Sequence, residues 1–500
     1  MKTPLTLAVA VVACAAAAKP ILVINEDNDH FFKLSPSLMT EQGVREYALD
    51  IFRGPVTHFF MCAQGQRASY DSKVWEPIWA GLNDPDNDGR TNNVWCVNAK
   101  RLFDAGIDPY RVWIGCARER GVSPWMTMRM NDIHFAANPR YFRNTTFYKS
   151  HPEWRCVPGI TGAGWDEYCL DYAHREVYDY HLAMAKELLD RYDVDGLELD
   201  WMRFTWYFKE GERRRNAHIL TAFIGDVRAY ADEVGKRRGR RILLGARVPA
   251  LPVMCAEKGM DVEDWAAKRL IDWVVVHNQY GCTDFGIPFA DWRDRLLAAN
   301  PDLVLLPGCD HKYGTGGGKR ERTMTADLYR GWAEALYEQG AKGLYLFNAP
   351  YEPKPIRDLL YGKGLAPELV RASQRRYIAS RHDTLPRGGL PYHQLPRRLD
   401  EDGFVSLRVG RPPANGGEVV LAFDRDDPAI DALTVLLNGE APTGKPRALP
   451  AADFGFAQAK KALAFPFAAE AFVARENGVA FKRVPDSKAK VTWCEIRVKK

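Results

Sequence analysis

Between residues 20 and 350, eight short apolar runs alternate with longer segments whose apolar residues recur at three- and four-residue steps. The runs are Ile21–Asn25, Val56–Cys62, Val122–Met130, Val194–Asp200, Ile242–Arg247, Trp273–Asn278, Leu303–Cys309 and Leu344–Asn348. Near-continuous apolar runs suit parallel strands buried on both faces. The segments 171–192, 217–237 and 325–340 between them have the period of amphipathic helices. Eight such pairs are the count for a closed barrel, so the expected fold class is α/β, a (β/α)₈ TIM barrel over residues 20–365. The alternative is an open doubly wound sheet. It loses its main support because no G-x-G-x-x-G follows the first run.

Past residue 365 the pattern changes. Residues 366–395 are rich in Pro and Arg and read as a linker. FVSLRVG (404–410), EVVLAFD (418–424), ALTVLLNG (432–439) and VTWCEIRVK (491–499) then predict a small antiparallel β-sandwich over 396–500. It carries no catalytic constellation and reads as a packing domain, the alternative being a sugar-binding accessory module. At the other end, Lys2 and the apolar stretch that follows make residues 1–19 an expected secretory signal, too short for a membrane span. Val11-Val12-Ala13-Cys14 also resembles a lipobox, which would make Cys14 a lipid anchor. The expected location is exported, periplasmic or extracellular, with a membrane link only through Cys14.

With 46% hydrophobic and 27% charged residues and a net charge of +5, the chain is an ordinary globular one. Its basic runs, 213–215 and 236–241, are short enough to be solvated helix ends, so no nucleic-acid partner is expected. None of the ten cysteines stands in a C-x-x-C pair, so no structural zinc is expected. Cys156 and Cys169 flank a Gly-rich stretch at a spacing that permits a disulfide.

The chemistry centres on DVDGLELDWMRF (193–204). Strand residues alternate sides, so Gly196, Glu198 and Asp200 share one face and Leu197, Leu199 and Trp201 the other. In a barrel the leucines face the helices and the acids point inward near the C-terminal mouth. Mutual repulsion and desolvation there push the two carboxyl pKa values apart, a state useful to a glycosidase. The structural alternative is an acid pair neutralised by Arg203, Arg129 or Arg247. The first strand ends in NEDNDH (25–30), and the other strand ends bring Arg129, Asn131, Asp132 and His134, then Arg203 as a further binding candidate, then Arg247, then His277, Asn278 and Tyr280, then Asp310 and His311, and finally Asn348. These polar residues fit a site for a hydroxyl-rich ligand. Asp200, Glu198 and Asp310 are the candidate catalytic acids. Asp310 is the first choice to face Asp200, and Asp132 the second. Arg129 and Arg247 are candidates to hold a carboxylate or sulfate on a sugar. The loop aromatics Trp75, Trp79, Trp95, Phe135, Tyr141, Tyr148, Trp154 and Trp165 either stack on sugars or fill their own loops.

Asp84, Asp86 and Asp88 have the spacing of a calcium loop, but Trp95 stands where a bidentate acid is needed, so an Asx-rich turn is the simpler reading. No other metal or cofactor is expected. No H-E-x-x-H, G-x-S-x-G or P-loop occurs.

DGLELDWMR after a helix ending LLDRYDV is similar to the fourth-strand signature of (β/α)₈ glycoside hydrolases. With SPWMTMRMNDIH and GAKGLYLFNAPY it resembles a group of exported bacterial proteins described as glycosyl-hydrolase-like. The resemblance spans roughly residues 20–365. It implies a carbohydrate-active barrel in which the fourth-strand acid, here Asp200, is the nucleophile. This chain departs from the pattern in two places. No Asn-Glu pair ends its fourth strand, and the fifth ends in Arg247 instead of an acid. The resemblance therefore leaves the acid/base unassigned, and a silent sugar-binding barrel is the alternative.

Overall fold

The computed structural model describes residues 20–83, 94–157, 168–278, 282–314, 321–379, 394–485 and 487–499. Eight parallel strands close a barrel: β1 (Ile21–Glu26), β2 (His58–Cys62), β3 (Ser123–Arg129), β4 (Gly196–Asp200), β5 (Leu243–Pro249), β6 (Trp273–His277), β7 (Val304–Cys309) and β8 (Gly343–Leu346). Each pairs with the next, and β8 returns to β1. All eight apolar runs are strands, and the helices Arg175–Arg191, Ala217–Arg238 and Ala326–Glu338 fall in the three amphipathic segments. Leu197 and Leu199 face outward into one core with Leu188 and Ile224 of those helices.

The inward faces form a separate core of Val23, Phe60, Trp125, Trp273, Val275, Leu306, Tyr345 and Phe347. Its layers follow from register. Trp125 pairs with Gly196, Thr127 with Glu198, and Arg129 with Asp200, which in turn pairs with Arg247. Trp125 stacks on Phe60 with ring centroids 4.6 Å apart. A Cβ at position 196 would lie 2.5 Å from the Trp125 ring, so glycine there is what allows tryptophan to plug the barrel. Above that plug the interior turns polar.

The C-terminal region is a sandwich of two antiparallel sheets. One contains Arg375–Ile378, Lys490–Val498, Gly417–Phe423, Lys461–Phe467 and Arg447–Leu449; the other contains Gly403–Val409, Arg475–Phe481 and Val435–Leu437. Helix Pro367–Arg371 and strand Arg375–Ile378 lie inside the segment read as a linker. The strand pairs with Lys490–Val498, a long-range contact that local Pro and Arg content conceals. The sandwich grips the barrel through Glu334, which accepts bonds from Tyr377 Oη (2.8 Å) and Arg411 N (2.9 Å). It also holds the segment after β7, where Tyr313 packs on Phe456 and Trp493.

The nine described cysteines form no disulfide. The expected Cys156–Cys169 bridge is replaced by a main-chain bond from Cys156 N to Cys169 O, 2.8 Å. Among the described residues no helix is long and apolar enough to cross a membrane. Residues 1–19 with Cys14, the Asp84, Asp86 and Asp88 stretch, Trp165 and Tyr280 lie outside the described residues.

Candidate active site at the mouth of the barrel

The two acids of β4 are in different states. Glu198 is fully buried, and its Oε2 accepts bonds from Thr127 Oγ1 and Tyr345 Oη, both 2.9 Å. Its Oε1 has no partner. Burial pushes this carboxyl up to about 7, the neighbouring Asp200 charge adds to the rise, and Arg247 only partly opposes it. Asp200, one layer higher, is gripped by Arg247 through two bonds, Nε to Oδ1 at 3.0 Å and Nη2 to Oδ2 at 2.6 Å. The Met202 N–H also donates to Oδ1, 2.9 Å. Arg247 lies 4.0 Å over the Phe347 ring, which fixes its plane. A Glu198 that takes up a proton near pH 7 beneath an ion-paired Asp200 relieves part of the repulsion that two adjacent charges would suffer.

A ring of charged residues surrounds this pair. Arg129, at the end of β3, bridges Asp27 and Asp132, and Arg143 also reaches Asp132 at 3.3 Å. Burial alone would raise both carboxyls. Arg129, Arg203 and His30 together outweigh it at Asp27, and His134, Arg143 and Arg129 together outweigh it at Asp132, so both stay below the usual range. Across the mouth Asp310, just past β7, takes bonds from Asn348 Nδ2 (3.2 and 3.3 Å) and is paired with His311 Nδ1. Burial raises its carboxyl, but the bond and charge of His311 prevail and leave it lowered. Behind Asn348, His30 Nε2 meets Asn348 Oδ1 and His30 Nδ1 meets Glu26 Oε2, each at 3.1 Å.

The structure thus brings Asp200, Glu198, Asp310, Arg129, Asp132, His134, Arg203, Arg247, His311 and Asn348 to one mouth. The remaining described candidates serve the scaffold. Asn131 ties Leu170 O and Trp206 O together, and Asn278 holds Cys282 O. His277 is 2% exposed and packs on Gly308, with burial lowering its pKa to about 4. The expectation that Arg129 and Arg247 greet an acidic sugar is corrected, since carboxylates of this chain occupy both. Most loop aromatics fill their own loops: Trp75, Trp95, Tyr141 and Tyr148 are buried. Phe135 and Tyr351 are the exposed ones at the mouth, at 54% and 45%.

Tyr345 and Phe347 were missed as site residues, while Asp27 and His30 fall in the polar end of the first strand, read without a role for either. Tyr345 and Phe347 share the inward parity of β8, a signal that their apolar character masks. Asp27, Asp29 and His30 offer ligand atoms within 4.8 Å of one another. Arg129, Lys33 and the Glu26–Asn348 pair already engage those groups.

Glu198 makes stability depend on pH. Its carboxyl titrates near 4.5 unfolded and near 7 folded, so the native state holds the extra proton between those values. Stability therefore falls as pH rises from about 4.5 to 7. Glu198→Gln is expected to gain up to about 3 kcal/mol over the parent at pH 8 and nothing at pH 4.5. Paired urea titrations at the two pH values check this, and an equal effect at both would refute it.

No family model matches this sequence, and no curated relative does. Solved structures that this chain resembles include three glycoside hydrolases. An alpha-L-fucosidase from Paenibacillus thiaminolyticus is 12% identical over 69% of this chain and 49% of that one, with a TM-score of 0.41. An alpha-galactosidase from Geobacillus stearothermophilus is 15% identical over 93% and 55%, with a TM-score of 0.38. The glycoside hydrolase domain of PgaB from Bordetella bronchiseptica is 11% identical over 68% and 98%, with a TM-score of 0.41. The chain spans about half the length of the first two. The likeness is one of fold.

Proposed function

We propose that the protein is an exported glycoside hydrolase that cleaves a complex glycan lying across the C-terminal mouth of the barrel. The observation that carries this reading is the disposition of carboxyl groups at one mouth. Asp200 is fixed by Arg247 at the end of β4, and Asp310 is joined to His311 three strands around the barrel. Phe135 and Tyr351 stand exposed beside them, and aromatic faces of that kind pack on sugar rings. Asp200 is the carboxylate that meets the reacting carbon. Asp310, paired with His311, is the group that exchanges the proton of the glycosidic oxygen, and its lowered carboxyl must regain a proton as the glycan covers it. Glu198, whose carboxyl is raised to about 7, supports Asp200 from beneath.

One observation favours a second reading, a barrel that binds glycans without cleaving them. Asp200 is only 1% exposed and its carboxylate is already held by the Arg247 fork. Release of reducing ends from an oligosaccharide panel separates the two. Asp310→Asn is expected to lower kcat by about 10²- to 10⁴-fold with binding retained. Full turnover by that variant would remove Asp310 from the chemistry. Binding without product by the parent protein would favour the second reading.

A further inference from the structure

Arg203 and Arg213 lie on the segment that follows β4, and among the described residues neither guanidinium pairs with a carboxylate. Arg203 donates from Nη2 to His134 Nε2 at 3.4 Å and rests on the face of Phe347, 5.2 Å from the ring centroid. Its Nε is buried without a partner. Asp132 engages His134 Nδ1, so that nitrogen carries the hydrogen and Nε2 presents a lone pair, not a charge. Arg203 acts on Asp27 only through space, since Asp27 is already paired with Arg129. Arg213 is 9% exposed and lies 4.2 Å over the Trp206 ring. Its Nε and Nη2, and the Trp206 Nε1, are buried without hydrogen-bond partners. The Trp206 carbonyl accepts from Asn131 just past β3, which ties this segment to the C-terminal end of the barrel.

Every other arginine at this mouth has its anion: Arg129 has Asp27 and Asp132, Arg143 has Asp132, and Arg247 has Asp200. A guanidinium held in or near the interior without an anion is costly, and buried donors left unbonded ask for an acceptor. Both lie on the segment after β4, and Arg203, partly open to solvent, is the one placed to receive an anion from outside. The planar fork of arginine matches the oxygens of a carboxylate or a sulfate ester, and the Phe347 face holds the Arg203 plane ready.

We infer that the glycan bound at this mouth carries a negative group, a carboxylate or sulfate ester, which sits against Arg203 in the positive field of Arg213. This inference rests on the glycan reading above and names its substrate class. The exposed Phe135, next to His134, lies where the charged sugar's ring would pack.

Calorimetric titration of the full chain with two matched pairs tests it. One pair is an oligogalacturonate and its methyl ester; the other is an isomalto-oligosaccharide with and without sulfate esters. At least one charged member is expected to bind about tenfold or more tightly than its neutral partner, and the pairs tell carboxylate from sulfate. That advantage should vanish in Arg203→Gln, shrink in Arg213→Gln and weaken with added salt. Arg203→Lys, which keeps the charge without the fork, should recover part of it, and thermal melts show which variants are folded. Equal affinity within both pairs, no binding by any of the four sugars, or an advantage that survives in folded Arg203→Gln overturns the inference. Cleavage of a neutral glycan that Arg203→Gln leaves unchanged also overturns it, while the hydrolase reading stands. Arg203-dependent binding of a charged sugar with no cleavage upholds the inference and removes the hydrolase reading.

Discussion

Asp200→Asn is expected to lower glycan turnover by about 10⁴-fold or more while the same glycan still binds. Asparagine keeps the shape of the side chain and the Met202 N–H bond to Oδ1, but it removes the charge from the position that faces the reacting carbon. It also leaves the buried Arg247 guanidinium without its anion, so stability should fall as well, by about 3–5 kcal/mol. Loss of turnover in the single variant is therefore ambiguous until the two effects are parted. The double variant Asp200→Asn/Arg247→Gln parts them, because it pairs two neutral amides and should recover much of the lost stability. If Asp200 reacts, that recovered fold remains inactive. If turnover returns with stability, Asp200 serves only to hold Arg247, and the nucleophile lies elsewhere.

Arg247→Met is expected to destabilise the protein by about 3–5 kcal/mol at pH 7, the cost of leaving a buried carboxylate without its cation. Arg247 is 1% exposed, and the register sets it beside Asp200 one layer above Glu198. It also lies on Phe347, so its loss removes a cation–π contact at the centre of the mouth. Its charge holds the Glu198 pKa down against burial, so the variant should retain the Glu198 proton to higher pH than the parent. Urea titration measures the first effect, and its repetition across pH measures the second. A loss below about 1 kcal/mol would mean that water reaches Asp200 freely, against the burial seen here.

The barrel was legible because each strand is buried on both faces and each helix on one, and both conditions write a period into the sequence. The same period placed Glu198 and Asp200 inward and their leucines outward. Partners were harder to read. Arg203, Arg129 and Arg247 were each possible neutralisers of the β4 acids, and only the register Asp200–Arg247 decides among them. His277 and Asn131 read as mouth ligands because they end strands, yet one packs on Gly308 and the other ties two loops. Strand Arg375–Ile378 went unseen because four residues between a helix end and a Pro-rich stretch carry no period of their own.

By itself, then, the sequence determined the eight barrel strands, the three helices named between them, and which face of each is buried, since these follow from local periodicity and solvent exclusion. The tertiary structure alone decided which charge meets which. Pairing depends on strand order and register, which bring residues 102 positions apart in sequence, such as Asp27 and Arg129, into one bond. It is that pairing which holds Asp200 on Arg247 and leaves Arg203, among the described residues, without an anion of its own.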